Sequence, residues 1–207
     1  MKNMMKKIDS RKISWVTFGI IIAIGIFLRT IHFGDWLVFK SDQARDAIII
    51  EKALADGFKH LPLMGPQVGG TPFRLGPVHY YFQYFSVKIF KIFPESLAYP
   101  DLLWGILTLP LIFMLMRKFF LTSVSLWLMA LASTSLFLVT FSRFGWNPNG
   151  LPFFTALFAW LFLTALENTG KKRFLLLTGA ALCLGIIAQL HFAAILGLGV
   201  GLLFFLV

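Results

Sequence analysis

The sequence predicts an all-α protein of the polytopic transmembrane class, with extracytoplasmic juxtamembrane helices after its first span. Three observations carry this. Of the 207 residues, 58% are hydrophobic and only 14% charged, whereas soluble domains carry about 25% charged residues. Mean hydropathy is +0.80. Several apolar runs approach the roughly 20 residues needed to cross a bilayer. A single soluble core of this size could not hide so much apolar surface, and lipid can.

The first element follows a basic start, Lys2, Lys6, Lys7, Arg11 and Lys12, after which Ile13 to Ile31 is apolar. No A-x-A-like cleavage site precedes Arg29, so this reads as an uncleaved span with its N-terminus in the cytoplasm. Arg29 is expected to snorkel at the outer end of that span, or to pair with acids that follow it. Residues 33–76 hold five of the nine acidic residues, Asp35, Asp42, Asp46, Glu51 and Asp56. Repeated Pro and Gly between Pro62 and Pro72 rule out a continuous helix there. Before that stretch, Ser41 is placed to N-cap a helix from Asp42 to Ala55, with Asp42 in the favoured first turn. Ala44, Ile48 and Ala55 alternate with charged positions, as on a helix lying at the membrane surface.

Further apolar runs cover 77–93, 97–116, 120–141, 151–166, 174–190 and 192–207. The run at 77–93 decides topology. If it does not span, Arg117-Lys118 and Lys171-Lys172-Arg173 fall on the cytoplasmic side, as the positive-inside rule favours. Lys88 and Lys91 agree, since each would cost about 2.5–3.5 kcal/mol at mid-bilayer. The resulting map has six spans, near 13–31, 97–116, 120–141, 151–167, 174–190 and 192–207. The segment 33–96, the loop 142–150 and the Gln189–His191 corner then lie outside, in one transmembrane domain covering 1–207. The expected arrangement is multi-pass, and the expected location is the plasma (inner) membrane.

The net charge of +10 reflects cytoplasmic loops and anionic lipid heads. It does not point to nucleic acid, because no basic stripe with interleaved aromatics lies on a soluble element. Cys183 is the one cysteine and sits in an apolar run, so it reads as a packing residue. His32, His60, His79 and His191 lack metal-ligand spacing. Gly197 to Gly201 has the GxxxG spacing of helix packing.

Three outer segments carry polar chemistry. In Ser41-Asp42-Gln43-Ala44-Arg45-Asp46, the charged residues fall at i, i+3 and i+4 and share a helix face. The bland reading is a solvated face with a local ion pair. In Thr71-Pro72-Phe73-Arg74-Leu75-Gly76-Pro77-Val78-His79-Tyr80-Tyr81, Pro and Gly fix the chain ahead of a Tyr-rich helix. Arg74 could hold a phosphate there, and Tyr80 and Tyr81 could stack on a sugar or sit in an aromatic belt. Phe141-Ser142-Arg143-Phe144-Gly145-Trp146-Asn147-Pro148-Asn149-Gly150 is a polar loop on the same side, or a plain connecting turn.

In this order and on one face, these segments resemble the membrane glycosyltransferases of the GT-C superfamily. The similarity is greatest to the branch of protein O-mannosyltransferases and the lipid A aminoarabinose transferase (family 39 and related). That family has an acid after the first span, often Asp-Glu, where this chain has Asp42-Gln43. It has a Pro-containing Tyr-rich segment, here Gly76-Pro77-Val78-His79-Tyr80-Tyr81, and a Ser-Arg outer loop, here Ser142-Arg143. The resemblance implies transfer of a sugar from a polyprenyl-phosphate donor to a lipid, glycan or protein hydroxyl outside the membrane, with inversion. It implies Asp42 as the base and Arg45, Arg74 and Arg143 as phosphate or donor-binding cations. Asp46, His79, Tyr80, Tyr81, Trp146 and Asn147 would line the substrate. No cofactor is called for, and the replacement of the second acid by Gln43 weakens a divalent-metal reading. The family's lysine before the prolines is absent, with Arg74 about two residues away. The chain stops inside an apolar run, and beside longer family members it reads as the N-terminal part of a GT-C module.

Two other classes compete with this reading. A transporter or flippase of a lipid-linked or anionic substrate would need ionisable groups or broken helices at mid-membrane, and the spans carry few such groups. A non-catalytic membrane fragment does not account for three polar segments ordered on one face.

Overall fold

The computed structural model describes residues 2–192, 194, 196, 197 and 199, with side chains from Lys12 onward. Among them run eight α-helices: α1 (Lys2–Thr30), α2 (Ser41–Asp56), α3 (Val78–Phe90), α4 (Pro94–Met116), α5 (Thr122–Thr134), α6 (Leu136–Phe141), α7 (Leu151–Leu166) and α8 (Gly170–Leu190). Short 3₁₀ turns cover Phe58–His60 and Asn147–Gly150. Four stretches are long and apolar enough to cross a bilayer: Lys12–Thr30, Pro94–Met116, Asn147–Leu166 and Gly170–Leu190. The span expected at 192–207 and the GxxxG register reaching Gly201 lie largely outside the described residues.

α3 has 13 residues, a rise of about 20 Å, short of the roughly 30 Å hydrocarbon core. Its inward face carries His79, Tyr80, Gln83 and Tyr84, and Lys88 and Lys91 stay exposed.

α4 stands at the centre and touches α1, α2, α3, α5, α6 and α7. Pro94 opens it at a position where the missing N–H is no loss. Pro100, inside it, leaves Ser96 O without a helical donor, and Ser86 Oγ–H on α3 donates to that carbonyl at 2.6 Å. Three apolar clusters pack around this frame. Ile50, Ala53, Tyr84, Val87 and Leu97 join α2, α3 and α4. Phe154, Phe158, Cys183 and Ile187 join α7 to α8. Ile21, Leu109, Leu126 and Met129 join α1, α4 and α5. At one end of the bundle Lys118 Nζ pairs with Glu167 Oε2 at 2.9 Å, and the basic residues 117–118 and 171–173 gather there. The loop 142–150 and the end of α8 lie at the other.

Two expectations are corrected here. The run 120–141 is not one helix, because α5 ends at Thr134 and α6 begins at Leu136. The Ser133-Thr134-Ser135 run explains the break. Ser133 and Thr134 hydroxyls donate back to Ala130 O at 2.8 and 3.1 Å, and Ser135 Oγ accepts from Leu138 N–H at 3.4 Å. Arg29 neither snorkels nor meets the acidic helix. It is 0% exposed, and its guanidinium donates to Ser133 O at 2.9 Å, Ala132 O at 3.3 Å and Gly25 O at 3.0 Å. A cation at the C-terminal end of α5 also meets the negative end of its dipole. Arg29 therefore caps the carbonyls that the break leaves open, which hydrocarbon could not satisfy.

Arg29→Ala is expected to lower stability by about 2–4 kcal/mol, since it orphans buried carbonyls. Thermal unfolding in detergent checks this, and Arg29→Lys should recover part of the loss. A variant as stable as the parent would contradict the capping role.

Candidate functional site

α2 begins one residue away from the expected cap. Ser41 is the first helical residue, and Lys40 stands at the cap with extended backbone. Gln43 explains the shift, because its Oε1 accepts the Lys40 N–H at 3.0 Å. Gln43, Asp46, Ile50 and Ala53 form the buried face. On the edge of that face Arg45 holds two carboxylates. Its Nη1 donates to Asp42 Oδ1 at 2.7 Å, and its Nε and Nη2 donate to Asp46 Oδ1 at 3.0 and 2.6 Å.

Beneath Arg45 lies a buried polar layer. Asp46 is 1% exposed, and burial raises its carboxyl to about 6 against the pull of Arg45. His79 on α3 has its Nε2 4.0 Å from Asp46 Oδ2 and without a hydrogen-bond partner. Burial, with Arg45 adding to it, lowers the imidazole to about 3, so it stays neutral. The Tyr80 hydroxyl faces Arg45, and burial together with Asp46 pushes its pKa up. Although burial alone would lower the Arg45 guanidinium, Asp46, Tyr80 and Asp42 together raise it.

Between α2 and α3 the chain forms a short antiparallel ribbon. Gly65 N–H donates to Leu75 O at 2.9 Å, Leu75 N–H to Pro66 O at 3.0 Å, and Val68 N–H to Phe73 O at 3.0 Å. Gln67 and Arg74 pair across it. Gly76 N–H ties it to Gln189 O at the end of α8, at 2.9 Å.

The loop between α6 and α7 closes the arrangement. Gln43 Nε2 donates to Gly145 O at 2.7 Å. Asp101 Oδ2 on α4 accepts the Trp146 N–H at 3.2 Å. Gly145 lies so close to α4 that a Cβ there would stand 2.9 Å from Leu97 O, which no other residue fits without movement. Asn149 Nδ2 donates to Phe144 O at 2.7 Å within the loop.

These pieces enclose a cavity of about 160 Å³. Asp42 and Arg45 line it from α2, Gln67 and Leu75 from the ribbon, Trp146, Asn147 and Pro148 from the loop, and His191 from the end of α8. Asn147 is 2% exposed and its Nδ2 has no partner. Among the described residues no three His, Cys, Asp or Glu side chains gather as a metal site.

The sequence-derived residues divide accordingly. Asp42, Arg45, Trp146 and Asn147 line the cavity, while Asp46, His79 and Tyr80 sit below Arg45. Arg74 is exposed on the ribbon, its Nη1 reaching Gly65 O at 3.5 Å. Tyr81 turns aside, its ring against Phe58 and its hydroxyl 3.5 Å from Pro62 O. Arg143 is also placed elsewhere. It donates to Leu28 O, Ile31 O and His32 O at 3.1, 2.8 and 2.9 Å, capping the end of α1, and stacks over Phe33 and Trp36. Sequence reasoning passed over Gln67, the wall position of His191, the docking role of Gln43, and Asp101. For Asp101 a signal existed, an acid inside an apolar span.

A family model described as "Dolichyl-phosphate-mannose-protein mannosyltransferase" matches residues 72–207. The matched part includes the ribbon's second strand, α3 and the loop 142–150, and leaves out Asp42, Arg45 and Asp46. No curated protein and no solved structure gives a significant match.

Two outcomes follow from the geometry. The Asp46 carboxyl rises from 3.8 to about 6 on folding, so its contribution to stability is present below about pH 4 and is lost as pH climbs through about 6. The loss amounts to about 3 kcal/mol. Asp46→Asn should remove that part of the pH dependence in thermal unfolding between about pH 4 and pH 7, and an unchanged pH dependence would contradict it. Gln43→Glu cannot donate to Gly145 O. It should loosen the loop, read as faster proteolysis at Phe144 or Trp146, whereas wild-type resistance would count against the docking role.

Proposed function

This chain belongs to the dolichyl-phosphate-mannose-protein mannosyltransferase family of membrane glycosyltransferases, and on that premise we propose the reaction its cavity performs. The chain transfers a sugar from a polyprenyl-phosphate donor to an acceptor hydroxyl at the outer membrane face. One observation carries the reading: Asp42 lines the same cavity as Trp146 and Asn147, beside Arg45.

Asp42 takes the acceptor hydroxyl proton as that oxygen forms its bond to the anomeric carbon. The bond from this carbon to the phosphate oxygen breaks at the same time, and the electron pair leaves with the polyprenyl phosphate. Attack opposite the leaving group inverts the anomer. The leaving phosphate needs little protonation, so one carboxylate suffices, unlike the acid pair of most glycoside hydrolases. Arg45 orients Asp42 through the 2.7 Å hydrogen bond. It also supplies positive charge beside the leaving group.

Arg74 is the second phosphate cation, since it is exposed on the ribbon that lines the cavity. The unpartnered Asn147 Nδ2 gives a neutral donor for a sugar or phosphate oxygen. Trp146 provides the ring face for the sugar. Arg143 belongs to the frame, because its N–H groups hold the end of α1. The outer location rests on the charge pattern. Residues 117–118 and 171–173 lie at the bundle end opposite the cavity, where the positive-inside rule places the cytoplasm.

Asp42→Asn should cut sugar transfer by about 10²–10⁴-fold with membrane insertion and yield unchanged. The assay is transfer of radiolabel from polyprenyl-phosphate mannose, in membranes bearing the full chain. Undiminished transfer by the variant would contradict the assignment.

A further inference from the structure

We propose that Asp101 is a positioning residue for the sugar-transfer site, fixing the cavity wall by holding the Trp146 N–H. The inference rests on the functional reading above and adds a residue outside the cavity itself.

Asp101 is 1% exposed on α4. Among the described residues no cation pairs with it: the ion pairs involve Asp35, Asp42, Asp46 and Glu167 instead. An isolated buried carboxylate is costly, and apolar packing against α3 and α7 would hold α4 without one. The hydrogen bond that Asp101 makes is to the loop, where Oδ2 accepts the Trp146 N–H at 3.2 Å. Trp146 has extended backbone and stands immediately before the 3₁₀ turn Asn147–Gly150. Its N–H therefore points away from that turn's own bonding, and the loop backbone offers it no acceptor. Asp101 fills this vacancy at the point where the chain enters the cavity wall.

The other fastenings of the loop hold different groups. Gln43 holds Gly145 O, Arg143 holds the end of α1, and Gly145 sets the close approach to Leu97. Gln43 thus grips the carbonyl end of the peptide joining Gly145 to Trp146, and Asp101 grips its N–H end, directly before the Trp146 ring and the Asn147 amide. Loss of the Asp101 acceptor therefore leaves the bundle assembled and lets the three wall residues drift. A displacement of about 1 Å at a reacting centre is enough for a loss near 10²-fold. Charge is not needed for this role; an acceptor oxygen at that place is.

The test compares wild type, Asp101→Ala, Asp101→Leu and Asp101→Asn in the full chain, purified in detergent and in membranes. Hydrogen exchange by mass spectrometry reads the peptide bearing Trp146, and label transfer from polyprenyl-phosphate mannose reads function. Asp101→Ala should speed exchange at Trp146 at least about tenfold and lower transfer by about 10- to 100-fold, with unchanged exchange in α7 and α8. Asp101→Asn retains an acceptor oxygen and should stay close to wild type in both, which excludes a charge role. Asp101→Leu, of similar volume but without an acceptor, should behave as Asp101→Ala, which excludes bulk packing. Wild-type exchange in Asp101→Ala overturns the proposal, and so does loosened exchange with undiminished transfer. Should wild type itself transfer no sugar, the functional reading fails and the positioning role falls with it. The exchange arm would then still report whether Asp101 fixes the wall.

Discussion

Side chains fasten the loop between α6 and α7 in both directions. Gln43 on α2 donates to Gly145 O, Asp101 on α4 accepts from Trp146 N–H, and Arg143 within the loop reaches back to the end of α1. At membrane depth, irregular backbone survives only where protein groups or a water-filled cavity satisfy it. The loop keeps bonds of its own, such as Asn149 N–H to Trp146 O at 2.9 Å, and takes further partners from helices far apart in sequence. Those same bonds bring α2, the ribbon and α4 to one end of the bundle. The cavity beside Asp42 is a consequence of that docking.

The same constraint explains two ionisable groups buried in the spans. Arg29 and Asp101 are both almost fully enclosed, and each binds backbone rather than an opposite charge. Arg29 covers Ala132 O and Ser133 O at the α5–α6 break, where the dipole end of α5 adds a favourable field. Asp101 covers one N–H at the entry to the cavity wall. A broken helix and buried charges in the membrane would in other settings point to transport. Here each is accounted for by the backbone groups it binds.

Hydropathy made much of the frame legible. The four long apolar stretches fall where run length placed them, because crossing lipid imposes a length that composition reveals. The α5–α6 break did not appear, since Ser133, Thr134 and Ser135 are compatible with a helix until Arg29 arrives from 104 residues away to take the freed carbonyls. Local spacing placed Asp42, Arg45 and Asp46 on one helix face but did not show that Arg45 grips both acids, since the burial of Asp46 depends on α3. Arg143 looked free in the sequence because its acceptors, the last carbonyls of α1, are made available only by tertiary packing. Gln43 looked like a lost acid. Its amide both caps α2 and donates to Gly145 O, and no carboxylate can do the second.

The arrangement separates a cavity lining from its support. Asp42, Arg45, Trp146 and Asn147 face the cavity, while Asp46, His79, Tyr80, Gln43 and Asp101 hold them from behind. The most direct measurement is cross-linking of Asp42→Cys with Pro148→Cys in membranes, on a Cys183→Ser background with a short bis-maleimide. One cavity wall facing the other predicts efficient intramolecular cross-linking of that pair and none for Pro148→Cys with Lys172→Cys at the opposite end of the bundle. Absence of the first cross-link, with both cysteines singly reactive, would contradict the account.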